Sequence, residues 1–287
     1  MSKKAIPNLF IIGAMKSGTT SLHEYLDEHP DIFMSNVKEP GYFAECMNYY
    51  PKDLAWYESL FKEVKDEIII GESSTNYTKL PICTDVVQKI WEFNPNARFI
   101  YVMRDPIKRV MSHYWHGVKY GDERNDALTA IKQKQEYICF SDYATQLEPY
   151  IERFGLDRIY TLTFESLIND PVSELKSLFS WLGVDADISI NNTGSAHNAL
   201  PKSFKKVKGT GLLHDFRSSF IWNLIAPLIP KKITSAASKL TVEDASKSSE
   251  NDAEVISYLK PIFTKKVEKL ERLLDRKFDE WDLINLK

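Results

Sequence analysis

The sequence predicts an α/β protein built on a P-loop-like parallel β-sheet of about four to five strands, flanked by helices on both faces. Three observations carry that expectation. Short apolar runs rich in branched residues recur along the chain, segments with helical spacing separate them, and polar or glycine-rich signatures follow directly after the runs. Strands buried on both faces read as continuous apolar stretches, and their alternation with helices is the pattern of a parallel sheet. Ligands of such sheets bind outside the carboxyl ends of the strands, which is where the signatures fall.

The first strand is expected at Leu9 to Ile12, and it stops at Gly13 before a polar turn. Leu22, Tyr25 and Leu26 then recur at helical spacing, in a helix ending near His29-Pro30. Asp31 to Tyr50 reads as an ordered functional loop, because proline, glycine and aromatic residues punctuate it. A helix follows over Asp53 to Phe61, and a second strand over Ile68 to Ile70 runs into Gly71-Glu72-Ser73-Ser74-Thr75-Asn76-Tyr77.

Pro81 to Phe93 reads as a helix and Arg98 to Met103 as the third strand. Arg104-Asp105-Pro106 ends that strand, and Pro106 suits the first turn of a helix over Ile107 to Tyr120. Tyr143 to Phe154 is helical, with Gly155 placed to cap it. Arg158 to Thr163 is the fourth strand, and Asp170-Pro171 opens a helix that ends at Leu182-Gly183. Beyond residue 185 the pattern weakens into a basic loop, an apolar stretch over 220–230, a Ser/Lys/Glu-rich stretch from Ser235 to Asn251 and two helical runs up to Trp281. With neither repeat nor boundary, residues 1–287 read as one domain with a divergent C-terminal part.

Composition narrows the classes. A net charge of −3 and a pI near 6.1 argue against a general nucleic-acid binder, so any anion site must be a local concentration of charge. Cys46, Cys83 and Cys139 are odd in number and far apart, which points to free thiols in a reducing compartment and not to a disulfide framework or a zinc cluster. The N-terminus has no signal-peptide pattern. The 220–230 stretch, broken by prolines, is shorter than the ~20 residues of a membrane span. A soluble, cytoplasmic protein without stable membrane insertion is expected, and its oligomeric state stays open.

Strand, glycine-rich loop and helix together offer free backbone N–H groups to an anion. Gly13 and Gly18 keep the interval of a nucleoside-triphosphate P-loop, but that motif places lysine directly after the second glycine. Here Thr19-Thr20 follow Gly18, and the lysine, Lys16, lies inside the loop. The loop resembles the 5′-phosphosulfate-binding loop of sulfotransferases that use 3′-phosphoadenosine 5′-phosphosulfate (PAPS). Arg104-Asp105-Pro106-Ile107-Lys108-Arg109-Val110-Met111-Ser112-His113-Tyr114 is similar to their 3′-phosphate motif, in particular that of the heparan-sulfate, carbohydrate-directed type. The resemblance covers residues 8 to about 183.

That resemblance implies a set of roles. Sulfuryl transfer needs stabilisation of the leaving oxygen, alignment of donor and acceptor, and removal of the acceptor's proton. Lys16 is the candidate for the leaving oxygen, with Ser17, Gly18, Thr19 and Thr20 around the phosphosulfate and Arg104 and Ser112 for the 3′-phosphate. In the carbohydrate branch a glutamate after the first helix is the base, and Lys38-Glu39-Pro40 matches it at Glu39, with Glu45 the nearest competitor. Histidine serves in the branch acting on phenols and steroids, yet His23, His113, His116 and His197 rank below Glu39.

Two departures stand out. Relatives often carry a lysine where this chain has Ser73, so that charge is missing or comes from elsewhere. Their basic glycine loop over the nucleotide has only a loose counterpart in Pro201 to Gly209, where one or two of Lys202, Lys205 and Lys206 are expected to reach the 3′-phosphate. The resulting expectation is a PAPS-dependent sulfotransferase, needing no metal, that sulfates a hydroxyl or amine of a carbohydrate or polar small molecule. Tyr42, Phe43, Tyr49, Tyr50, Trp56, Tyr57 and Trp115 are candidates to line its acceptor site. The alternatives are an atypical P-loop kinase using ATP and magnesium, and a non-catalytic nucleotide-binding protein.

Overall fold

A computed structural model describes residues 5–47, 53–190, 203–207, 242–246 and 250–285. Five parallel strands form its main sheet: β1 (Leu9–Gly13), β2 (Ile32–Met34), β3 (Ile69–Ser73), β4 (Arg98–Met103) and β5 (Ile159–Thr163), in the order β2-β3-β1-β4-β5. β1 is central and fully buried, so the loop that leaves it is walled by the ends of β3 and β4.

The period of two along each strand divides the core between two faces. Phe10, Ile12, Phe99, Tyr101 and Met103 pack against α2 (Leu54–Ser59), α3 (Val86–Phe93), α4 (Pro106–Tyr120), α5 (Ala127–Gln133) and α7 (Tyr143–Phe154). Leu9, Ile11, Ile100, Val102 and Leu162 pack against α1 (Thr19–Asp27), α8 (Phe164–Asn169) and α9 (Pro171–Leu182). A four-residue α6 (Glu136–Cys139) links α5 to α7. The long helix Glu250–Leu274 joins the first face through Val255, Leu259, Phe263 and Leu270. Beyond it Trp281 is fully buried and stacks on Phe278 with ring centres 4.1 Å apart.

Local chemistry fixes the helix ends as expected at several points. Asp105 caps α4 by accepting from Ile107 N–H (2.9 Å) and Lys108 N–H (3.1 Å), with Pro106 in the first turn and Gly121 in the left-handed region at the other end. Asp170 and Pro171 open α9 in the same way, and Gly183 closes it.

Other expectations are corrected. The stretch after α1 is not all loop: Ile32–Met34 adds a short edge strand on β3, with Asp27 accepting from Met34 N–H at 3.1 Å. Three residues are too few to show a strand period. The helix expected from Pro81 begins at Val86, because Ile82 and Cys83 N–H both turn back onto the Lys79 carbonyl. Cys46 and Cys83 were expected as free thiols but form a disulfide, their Cα atoms 5.8 Å apart, and only Cys139 is free. The pairing spans 37 residues and depends on tertiary placement. Ser203–Val207 and Val242–Ser246 pair as an antiparallel ribbon where a loop and a polar stretch were expected. Among the described residues no helix is long and apolar enough to cross a membrane.

Candidate active site

The polar groups gather at the carboxyl ends of β3, β1 and β4. Gly18 sits at the N-terminus of α1 with φ 90°, and a Cβ there would lie 2.7 Å from the Phe164 ring, so backbone conformation and close packing both favour glycine. Lys16 itself has φ 71° and Glu39 φ 61°; with Asp275 they are the non-glycine residues in the left-handed region among those described. Such backbone is uncommon and concentrates at functional sites.

The loop is tied to β4 and α4. Arg104 donates from Nη1 to the Lys16 carbonyl (3.2 Å), and its guanidinium lies 4.7 Å from the centre of the Phe164 ring. Lys16 Nζ donates to His116 Nδ1 at 3.1 Å. Burial lowers the Lys16 pKa, and Lys119, Arg104, Lys38 and Arg109 push in the same direction. Burial, then Lys16 and Lys119, likewise lower His116.

Arg109 lies wholly inside, where its Nε donates to Ser141 Oγ and its Nη2 to the Tyr137 carbonyl at 2.9 Å. His113, beside it, is lowered to about 2 by burial and by Arg109, so it stays neutral. Among the described residues, Ser17 Oγ, Arg104 Nε and Arg109 Nη1 are buried without a hydrogen-bond partner. Tyr101 Oη and Trp281 Nε1 share that condition, so a missing partner does not by itself mark a ligand contact.

Glu39 stands on the neighbouring strand end. Its N–H donates to the Ser73 carbonyl (2.8 Å); Oε2 accepts from Thr75 N–H (2.7 Å) and Thr75 Oγ1 (3.1 Å), and Oε1 from Lys38 Nζ (2.7 Å). Beneath it Glu72 is fully buried and accepts from Tyr77 Oη (2.5 Å), Ser74 Oγ (2.6 Å) and Tyr57 Oη (3.1 Å). Ser74 Oγ also accepts from Gly41 N–H at 2.9 Å, which anchors the turn that carries Glu39. Burial outweighs these donors and raises the Glu72 carboxyl to about 7.

Residues 7–215 match the family model of the sulfotransferase domain. The chain belongs to the sulfotransferase family. It is 28% identical over 220 residues to heparan sulfate glucosamine 3-O-sulfotransferase 3A1 of Mus musculus, a match covering 74% of this chain and 54% of that protein. Over 118 residues it is 33% identical to the membrane-associated sulfotransferase kil1 of Dictyostelium discoideum, 40% of this chain and 24% of that one. The chain thus spans about half the length of the heparan sulfate relative. Its fold is that of a sulfotransferase from Alicyclobacillus acidocaldarius, with a TM-score of 0.69 at 24% identity over 96% of this chain and 99% of that one.

In this sulfotransferase fold Lys16, Ser17, Gly18, Thr19, Thr20 and Arg104 lie together, and Glu39 occupies the adjacent strand end. Ser112 is half-buried on α4, one turn before His116. Lys205 and Lys206 lie on the Ser203–Val207 strand, which runs beside α4, whereas Lys202, Tyr49, Tyr50, His197 and the 220–230 stretch fall outside the described residues. Phe43 and Tyr57 are core residues packed with Phe93, which removes them from an acceptor surface; Tyr42, Trp56 and Trp115 are half-buried. Glu45 is exposed and paired to Lys89 at 3.1 Å. Ser73 brings no charge to the strand end, its Oγ lying 2.7 Å from Nδ1 of the buried His23. Sequence reasoning missed Lys79 and the contact of His116 with Lys16, since neither lies in a local motif.

Proposed function

We propose that this chain moves the sulfuryl group of PAPS to a hydroxyl or amine of a carbohydrate or polar small molecule. The observation that carries the proposal is a cationic loop at the end of β1 with, beside it, the carboxylate of Glu39, whose loop after β2 is bonded to the end of β3. Ser17 Oγ in the loop and Arg104 Nε beside it are donors without a partner that suit an anionic group.

Each residue then has a task. Lys16 stabilises charge growing on the phosphate oxygen as its bond to sulfur breaks, and the N–H groups of residues 17–20 hold that phosphate at the start of α1. Arg104, with Ser112, fixes the 3′-phosphate, and Lys205 or Lys206 is the further candidate for it. Glu39, held through Oε2 by Thr75, takes the acceptor's proton on Oε1, the oxygen that Lys38 also contacts, while the acceptor's new bond to sulfur forms. Thr75 therefore sets the direction of the base.

A sugar acceptor is favoured by the likeness to the heparan sulfate enzyme and by a carboxylate base instead of a histidine: His113 is held neutral beside Arg109, and His116 is engaged by Lys16. We read residues 1–287 as one sulfotransferase domain. The cytoplasmic placement loses the support of free thiols, because Cys46 and Cys83 are paired. Transfer of label from ³⁵S-PAPS to glucosamine-containing oligosaccharides, with simple phenols as the comparison, tests the proposal. Labelled oligosaccharide is expected, and preferential labelling of phenols would overturn the carbohydrate assignment.

A further inference from the structure

Lys79 follows the turn after β3 and is 2% exposed. The backbone around it is fixed: Thr78 Oγ1 donates to the Ile12 carbonyl at 2.6 Å, and the Gln146 amide bonds both Leu80 N–H (2.9 Å) and the Leu80 carbonyl (3.0 Å). Its side chain ends differently. Nζ lies 2.9 Å from Met15 Sδ, a weak acceptor, and 4.2 Å from the centre of the Phe140 ring. Among the described residues no carboxylate stands within ion-pair distance; Arg109 adds charge of the same sign, while Glu39 and Glu136 act on the lysine in the opposite direction from farther off.

A buried ammonium without a counter-ion is costly, and for packing alone an apolar side chain of similar length serves better. Its position suggests another use. Met15 directly precedes Lys16 in the anion loop, and Glu39 is within electrostatic reach from the acceptor side. Lys79 therefore touches the anion loop through Met15 and feels the charge of Glu39.

We propose that Lys79 is a donor-binding residue whose ammonium, set against Met15 of the anion loop, engages an oxygen of the donor's sulfuryl group, displacing the thioether as its partner. The assignment rests on the PAPS reading above. Burial, and then Arg109, lower this lysine to about 7, so in slightly alkaline solution it takes up a proton as it meets the anion.

The test compares wild type with Lys79→Met by calorimetry against PAPS and against the product 3′-phosphoadenosine 5′-phosphate (PAP), which lacks the sulfuryl group. Lys79→Met should melt no lower than wild type and bind PAP within about twofold, while PAPS binding weakens roughly tenfold or more, as for loss of one charge-assisted bond. At pH 8, in buffers of different ionisation enthalpy, wild type should take up more protons with PAPS than with PAP, and the variant should lose that difference. A lower melting temperature with an unchanged PAPS-to-PAP ratio would make Lys79 a packing residue and overturn the inference. So would equal proton uptake for the two ligands in wild type, a result that does not depend on the variant folding. Failure of wild type to bind either nucleotide would instead bring down the PAPS reading, and this inference with it.

Discussion

Lys16 Nζ donates to His116 Nδ1 across 3.1 Å, and the two residues are 100 positions apart in the chain. The contact requires a neutral imidazole, since a protonated one would set two cations against each other. Burial and Lys16 both hold the His116 pKa below the ordinary histidine range. The unfolded chain therefore binds the proton more readily, and the stability carried by neutral His116 is lost as pH falls through its lowered folded pKa. In His116→Leu, melting temperature should fall less steeply than in wild type as pH drops below the ordinary histidine range. An identical pH profile would show that the contact does not couple the helix to the loop.

Glu39, the proposed base, is restrained on both oxygens, by Lys38 and Thr75, and by its own backbone. Glu39→Gln keeps shape and the Thr75 contact but removes the basic oxygen. PAP affinity should stay within about twofold of wild type, and transfer should drop by ~10²-fold or more, as for loss of a general base. Single-turnover rates with bound PAPS provide the check.

Glu72 accepts from three buried hydroxyls, those of Tyr57, Ser74 and Tyr77. Glu72→Ala strands them, at a cost of ~1–3 kcal/mol for each donor left unpaired. Denaturant unfolding should show a loss of several kcal/mol. Glu72→Gln should retain more stability than Glu72→Ala, because its amide still offers one acceptor and its NH₂ can meet Ser74.

The Cys46–Cys83 bond ties the segment after Glu39 to the stretch before α3. Closing a loop of this length contributes about 2–4 kcal/mol on a chain-entropy estimate. Thiol titration of the unfolded, unreduced protein should find one reactive cysteine, Cys139, and reduction should lower the denaturant midpoint. Three reactive thiols without reduction would contradict the pairing.

What the sequence revealed follows from how local each signal is. Asp105-Pro106 and Asp170-Pro171 declare their helix starts because cap and first turn are adjacent in the chain, and the structure has both. The strand, glycine loop and helix around Lys16 were legible for the same reason: Gly13, Lys16 and Gly18 are one short segment between a strand and a helix. Lys79 carries no such mark, because its meaning comes from Met15, Phe140 and Arg109 folding around it. Ile32–Met34 hid in a loop for lack of length, and the cysteine pairing was invisible because spacing does not tell which thiols will face one another.

The claim that the Gly13–Thr20 loop and Arg104 serve a sulfuryl donor is tested most directly by calorimetry with PAP against ATP plus magnesium, at one ionic strength and pH. PAP should bind at least roughly tenfold more tightly, the margin of one charge-assisted phosphate contact. Tighter binding of ATP with magnesium, and none of PAP, would contradict the account.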